Sequence, residues 1–152
     1  MAEKVDRPNV GVMFNLCYWL PVDQSRDYRS LLHCAMPRLW AVSISGADAH
    51  DEKPGWDDYI QPLDRGSFDV AGLLKRLDEL GCTGPIGLQC FGIGGDAREH
   101  LARSMAAWRK MRQTLRVRNQ DPNGIASRYR ITVQVAARGC SEKRACPGLL
   151  DP

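Results

Sequence analysis

Neutral polar side chains end three short apolar runs of this chain, where a metal-dependent enzyme would need carboxylates or imidazoles. Asn15 ends the first run, Ser43 ends the second, and Gln89 ends the third. Amide and hydroxyl groups donate and accept hydrogen bonds, but they are weak and uncharged metal ligands. The three residues therefore predict hydrogen bonding at these positions, either to a ligand or to one another and the strand ends.

Charged and hydroxyl groups follow the second run within a short distance. Ser45 and Asp48 come directly after it, and a polar Ser-Ile-Ser-Gly segment is unusual in a core strand, so it favours an end that faces a ligand. Arg65 could bind a phosphate or carboxylate through two hydrogen bonds. Its alternative partners are Asp64 and Asp69.

Aromatic and glycine residues provide two further candidate contacts. Tyr18 and Trp19 offer flat rings that stack on a ligand or pack under a loop. The run 92–95 contains three glycines before a predicted helix, whose free N–H groups bind anions in other proteins. A simple connecting loop is the alternative.

The three histidines do not supply a metal site. His33 and His100 fall within predicted helices, away from the strand ends, and are expected to be surface or packing residues. His50 lies in a long loop and is the one histidine expected near the strand ends. We therefore predict no bound metal or other cofactor for this chain.

The predicted elements that position these residues alternate between strands and helices. Leu73 and Leu77 belong to an apolar stripe of helical period that begins near Asp69, and Gly81 is placed to end that helix. Short apolar strands that alternate with such helices indicate right-handed βαβ units and a parallel sheet. The predicted strands are 10–15, 39–45 and 86–90, and the predicted helices begin near residues 31, 69 and 96.

Composition suggests a cytoplasmic protein without a membrane span. The longest apolar runs of the 152 residues fall far short of the roughly 20 needed to cross a bilayer. Six cysteines show no C-x-x-C spacing, so a reduced compartment is the simpler interpretation, although Cys140 and Cys146 could pair under oxidising conditions. Residues 96–152 hold 12 basic and 5 acidic groups. They lack a base-stacking or groove-reading motif, so we expect no nucleic acid partner.

The chain divides into three parts by sequence character. Residues 1–8 form a polar leader, residues 9–118 hold the strand and helix pattern, and residues 119–152 form an irregular tail. The tail does not continue the pattern, although Tyr129 to Val135 alternates as one amphipathic strand would.

Four segments in order resemble the xylose isomerase-like TIM barrels, the sugar phosphate isomerase/epimerase family. They are Asn15–Leu20, Gln61–Asp69, Gly81–Gln89 and Ser104–Trp108, within roughly residues 8–116. The resemblance implies an α/β fold that is a partial (β/α) TIM-type barrel: about the last three βα units, with parallel strands and outer helices. A complete barrel needs about 250 residues. Open sheet edges in such a segment predict self-association.

The resemblance also implies a function, with departures at the site. Relatives use a divalent metal held by Asp, His and Glu at strand ends, whereas this chain has Asn15, Tyr18, Ser43 and Gln89 at or near the matching positions. We therefore expect an isomerase or epimerase type of protein of carbohydrate metabolism, incomplete and without the family's metal ligands. The alternative is a non-catalytic binding or interaction module, or a truncated remnant of a barrel enzyme. The expected residues that bind a sugar or sugar phosphate are Asn15, Tyr18, Ser43, Ser45, Asp48, Arg65 and Gln89.

Overall fold

Four parallel strands form a single sheet whose spatial order follows the order of the chain. The computed structural model describes residues 7–23, 25–49, 55–118 and 131–134. The strands are β1 (Val12–Asn15), β2 (Leu39–Ile44), β3 (Ile86–Gln89) and β4 (Ile131–Gln134). Each pairs in parallel with the next one along the chain. The expected α/β class with a parallel sheet is confirmed.

Five α-helices connect the strands in the described part of the chain. Between β1 and β2 lie α1 (Leu16–Val22) and α2 (Tyr28–Ala35), and α2 runs into a 3₁₀ turn that contains Pro37. The remaining helices are α3 (Trp56–Tyr59) and α4 (Val70–Glu79), both between β2 and β3, and α5 (Ala97–Arg118), between β3 and β4.

Helix ends follow the expected local chemistry. The Asp69 carboxylate accepts a hydrogen bond from the Gly72 N–H at 2.8 Å, which caps the start of α4. Gly81 ends that helix with a backbone φ of +72°, a conformation that residues other than glycine rarely adopt. Asp96 accepts a hydrogen bond from the Arg98 N–H at 2.7 Å and caps α5 in the same way.

A single apolar core lies on one face of the sheet. Phe14, Val42 and Leu88 alternate along the strands with residues of the other face, and they pack with Leu73 of α4 and Trp108 of α5. Burying each of these side chains contributes roughly 1.5–3 kcal/mol. The helices therefore cover this first face.

The other face of the sheet, here called the second face, has a different composition. Along each strand, its residues alternate with those of the first face. They are Met13, Asn15, Trp40, Ala41, Ser43, Gly87 and Gln89. Trp40 belongs here because the register shift in β1–β2 pairing leaves Trp40 and Ala41 between the buried Leu39 and Val42. Met13 and Trp40 are 55% and 51% exposed, so the described residues form no apolar core on this face.

The long loop after β2 is folded against itself. Gly46 and Gln61 exchange backbone hydrogen bonds at 3.0 and 2.8 Å and form an isolated bridge. A Cβ atom at Gly46 would lie 2.1 Å from the Pro62 carbonyl oxygen, so no larger residue fits there. The described parts of this loop, residues 45–49 and 55–69, therefore pack against each other beside the carboxyl end of β2.

Two elements go beyond what the sequence predicted. The sequence predicted no helix directly after the first strand, whereas α1 follows Asn15 directly and buries Leu16 and Leu20 in the core. The alternation from Tyr129 to Val135 allowed one strand, and β4 lies within that segment and pairs in parallel with β3. The leader before residue 7 and the rest of the tail, residues 119–130 and 135–152, lie outside the described residues.

Candidate functional site

The polar residues at the strand ends lie at one edge of the sheet. Asn15 pairs with Ser43 across β1 and β2, and Ser43 pairs with Gly87 of β3. Gln89 lies two residues further toward the carboxyl end of β3. Because all the strands are parallel, their carboxyl ends meet at this edge, which is where β/α folds bind ligands.

The side chains of Asn15 and Gln89 retain hydrogen-bonding capacity. The Asn15 Oδ1 accepts a hydrogen bond from the Cys17 thiol at 3.0 Å, and the Gln89 Oε1 accepts one from the Phe91 N–H at 3.2 Å. Both amides are partly exposed, and each has an NH₂ group that donates two hydrogen bonds.

The two serines of this region have different environments. Ser45 is fully buried, and its Oγ donates to the Tyr59 carbonyl oxygen at 3.0 Å, which fastens β2 to α3. Ser43 is 3% exposed, and within the described chain its Oγ has no hydrogen-bond partner. A buried hydroxyl left unpaired costs about 1–3 kcal/mol, so the described residues leave the hydrogen-bonding capacity of Ser43 unsatisfied.

The neighbouring aromatic residues separate into one exposed and one buried ring. Tyr18 is 59% exposed and lies edge-on to Trp56, with ring centroids 5.4 Å apart. Trp19 is 8% exposed and packs between Phe14 and Phe68, so packing under a loop describes it and not Tyr18.

Asp48 organises the loop after β2 through both of its carboxylate oxygens. Oδ1 accepts a hydrogen bond from the Ser67 N–H at 2.8 Å, and Oδ2 accepts one from the Gln61 side-chain amide at 2.6 Å. Asp48 therefore holds the two halves of the loop together beside the strand ends.

A cavity of about 350 Å³ opens between the loops that follow β2 and β3, and we call it the loop cavity. Arg65 and Asp57 lie on the β2 side, and His100 lies in the first turns of α5. The remaining lining residues are Ile60, Gln61, Pro62, Gly92, Ile93 and Gly94. The cavity thus combines a guanidinium, a carboxylate, an imidazole and glycine backbone.

The position of His100 corrects an expectation. It lies within a helix as expected, but in the first turns of α5 beside the loop after β3, where its Nε2 contacts the Gly94 carbonyl oxygen. Its Nδ1 is buried and has no hydrogen-bond partner in the described chain. His33 is exposed on α2, and His50 lies outside the described residues.

Arg65 does not pair with the acidic residue next to it. Asp64 is bound instead by Arg103 of α5, whose Nε and Nη2 lie 3.0 and 2.7 Å from Oδ2 of Asp64. Arg65 itself is exposed, and no ion pair joins it to the described residues. Arg65 therefore lines the loop cavity, and also a groove between α4 and α5, without an ion pair to Asp64.

A divalent metal of the kind that the resemblance implies does not fit the strand ends. Asn15, Ser43 and Gln89 offer neutral oxygen atoms without a carboxylate among them. In residues 7–23, 25–49, 55–118 and 131–134, no group of three or more His, Cys, Asp or Glu side chains lies close enough to hold a metal ion.

The structure thus divides the expected site residues into two neighbouring groups. Asn15, Ser43 and Gln89 share the edge of the second face, whereas Arg65 belongs to the loop cavity. Sequence reasoning missed Asp57 in the cavity. A usable signal was present for His100, because the position four residues after a helix-capping Asp96 lies in the first helical turns beside the preceding glycine loop.

No helix in the described part of the chain is both long and apolar enough to cross a membrane. Comparison with known proteins gives no match to a family model, a curated protein or a solved structure.

Proposed function

We propose that this chain is a segment of a β/α barrel of the sugar phosphate isomerase/epimerase type. It binds a phosphorylated sugar at the carboxyl edge of the sheet, without a tightly held metal, in the cytoplasm. The observation that supports this most is the loop cavity, whose lining includes both Arg65 and the glycine loop before α5.

The position of the loop cavity matches where barrels hold phosphate. It lies between two consecutive βα loops, next to the N-terminus of α5. Barrel enzymes commonly bind phosphate with paired βα loops and a helix N-terminus at the carboxyl face. Arg65 provides charge-assisted hydrogen bonds to phosphate oxygens, and Gly92 and Gly94 allow the ligand to approach the backbone closely.

The rest of the proposed ligand is a polyhydroxylated chain that extends toward the strand ends. Gln89 precedes Gly92 by three residues, so the end of β3 adjoins the cavity. The amides of Asn15 and Gln89, the hydroxyl of Ser43 and the ring of Tyr18 suit the alternating donors and acceptors of a sugar.

The alternative is a non-catalytic binding module or a remnant of a barrel enzyme. One observation favours it. Proton transfer beside a carbonyl needs a base within hydrogen-bond reach of the substrate. The two acids expected near the strand ends are already engaged, since Asp48 holds its own loop and Asp64 binds Arg103.

Binding measurements on matched variants test the proposal. We expect glucose 6-phosphate and inorganic phosphate to bind in calorimetric titrations, and Arg65→Ala to weaken both. The loss of one charge-assisted interaction, about 1.5–3 kcal/mol, corresponds to roughly a tenfold to hundredfold increase in Kd. The matched control is Arg109→Ala, an exposed arginine of α5 that lies outside the loop cavity.

A second variant separates the phosphate from the sugar part of the site. Gln89→Met is expected to weaken glucose 6-phosphate binding and to leave inorganic phosphate binding unchanged. If Arg109→Ala weakens phosphate as much as Arg65→Ala does, the binding is general attraction to a basic surface and the proposed site is wrong.

Turnover distinguishes the enzyme from the binding module. Incubation with sugar phosphates in D₂O, followed by proton NMR, detects exchange of the hydrogen next to the carbonyl carbon. Exchange above the uncatalysed rate supports an isomerase or epimerase, whereas binding without exchange supports the module.

A further inference from the structure

We propose that the second face of the sheet is an interface with another copy of this chain, and that two copies close an eight-stranded barrel. The inference rests on the barrel segment proposed above, and not on the ligand. Its basis is the number and order of the strands, the exposed residues of the second face, and the composition of the two edge strands.

The strand order is that of a barrel segment and not that of a doubly wound sheet. The order β1-β2-β3-β4 has no reversal, and every pair is parallel. Right-handed crossovers in one direction place all helices on one face, in agreement with the single core on the first face. Four such units are half of an eight-stranded barrel.

A two-fold axis along the barrel axis joins two such halves without a gap. It places β1 of one copy beside β4 of its partner at both seams, and the strands remain parallel throughout. At eight strands, the interior is narrow enough for side chains to fill it. A closed barrel also removes both sheet edges.

The second face has the composition of a barrel interior. Met13 and Trp40 lie toward its amino end and are each about half exposed, although parallel sheets are normally covered on both faces. Asn15 and Gln89 lie at its carboxyl end, where a barrel opens to ligands. A second copy would cover the apolar end and leave the polar end as the mouth.

Neither edge strand carries the residues that protect a free edge. The strand β1 has the sequence Val-Met-Phe-Asn, and β4 has Ile-Thr-Val-Gln. Exposed edges of monomers are usually blocked by Lys, Pro or inward-pointing charges. Both strands have four residues, so the two edges can pair along their full length.

The proposed ligand site is incomplete in one copy. Ser43 is buried on the second face, and its hydroxyl has no partner in the described chain. In the closed barrel the mouth is lined by the strand ends of both copies. The second copy therefore contributes groups to the site that one copy lacks.

A second apolar surface offers a competing interface. A groove of about 650 Å³, which we call the outer groove, runs between the start of α4 and α5 on the helical side. Phe68, Val70, Ala106 and Met111 are among its lining residues. A dimer through this groove would leave the second face open, so the experiment must separate the two surfaces.

Analytical ultracentrifugation of the full chain tests the proposal. We expect a monomer–dimer equilibrium without larger species, because a two-fold closed assembly has no free edges. Met13→Asp places a charge inside the closed barrel and is expected to raise the dimer Kd by about tenfold or more, since an unpaired buried charge is costly. Leu31→Asp, on an exposed position of α2 that is 41% exposed, is the matched control and leaves the Kd unchanged.

Hydrogen exchange of the unmodified protein gives a second measurement that does not depend on how a variant folds. The amides of β1 are expected to exchange more slowly at protein concentrations where the dimer forms. A monomer at high micromolar concentration, a dimer without added β1 protection, or open-ended oligomers would each overturn the proposal. So would a dimer that Ala106→Asp in the outer groove abolishes and Met13→Asp does not.

The outcomes for assembly and for ligand binding are independent. A dimer that does not bind phosphate overturns the proposed function and leaves the interface standing. A monomer whose phosphate binding depends on Arg65 overturns the interface and leaves the loop cavity as an anion site.

Discussion

Three buried serines show how the surroundings of a side chain determine what it does. Ser104 accepts a hydrogen bond from the Leu63 N–H at 3.0 Å, and Ser45 donates to the Tyr59 carbonyl oxygen. Ser43 is equally buried but unpaired within the described chain. The first two therefore stabilise the loop after β2, whereas the Ser43 hydroxyl makes no such contact with the described residues.

The cysteines allow a prediction at the same scale. Burial raises the pKa of the Cys17, Cys82 and Cys90 thiols, whereas Cys34 is exposed on α2. A raised pKa leaves less thiolate at a given pH, so alkylation of Cys17, Cys82 and Cys90 should accelerate only at more alkaline pH. We expect iodoacetamide to label Cys34 before these three at neutral pH, as followed by peptide mass spectrometry.

The control for this labelling is the unfolded chain, in which burial no longer protects any thiol. In denaturant Cys17, Cys34, Cys82 and Cys90 should react at comparable rates. If Cys17 reacted as fast as Cys34 in the folded protein, the packing of α1 on the sheet described above would be wrong.

At the scale of elements, α5 holds in place the loop after β2, which lines the loop cavity. Ser104 holds the Leu63 backbone, and one turn of α5 also provides Arg103, which binds Asp64. Both contacts join residues about 40 positions apart in the chain. The position of the loop segment that carries Arg65 therefore depends on the docking of a helix distant in sequence.

Removing the Ser104 hydroxyl tests this dependence. We expect Ser104→Ala to leave the buried Leu63 N–H unpaired and to lower the free energy of unfolding by about 1–3 kcal/mol, as measured by urea denaturation. Phosphate affinity should fall as well, because the cavity wall loosens. Thr114→Ala is the control, since Thr114 is exposed on the same helix and a surface change usually alters stability by less than about 0.5 kcal/mol. Equal losses in the two variants would contradict the role given to Ser104.

At the scale of the whole molecule, the described residues cover one face of the sheet more fully than the other. The core on the first face is continuous from α1 to α5, whereas Met13 and Trp40 remain half exposed on the second. A parallel sheet in this state gains stability from whatever covers its second face. In our proposal that cover is another copy.

Dimer closure makes thermal stability depend on concentration. We expect the Tm to rise with protein concentration, because mass action favours the state that binds a partner. In Met13→Asp the Tm should be nearly independent of concentration, as measured by differential scanning calorimetry. A concentration-independent Tm in the unmodified protein would indicate that folding does not depend on association.

The sequence by itself determined the features that have a local cause. Hydrophobic periodicity located β1, β2, β3, α4 and α5 to within a few residues, and cap chemistry placed Asp69 and Gly81 at the ends of α4. The neutral character of Asn15, Ser43 and Gln89 was also visible, because residue type needs no structure. These inferences succeeded because each depends on neighbours within a few positions.

Only the tertiary structure decided how distant residues meet. In the structure Arg103 donates hydrogen bonds to Asp64, and both carboxylate oxygens of Asp48 accept hydrogen bonds from the loop after β2. Arg65 and His100 line the same cavity. Local patterns also failed to show that β4 extends the sheet beside β3. The physical reason is that hydrogen bonds and ion pairs between elements depend on how the elements pack. Sequence periodicity shows which face of an element is apolar, but it does not show which other element packs against that face.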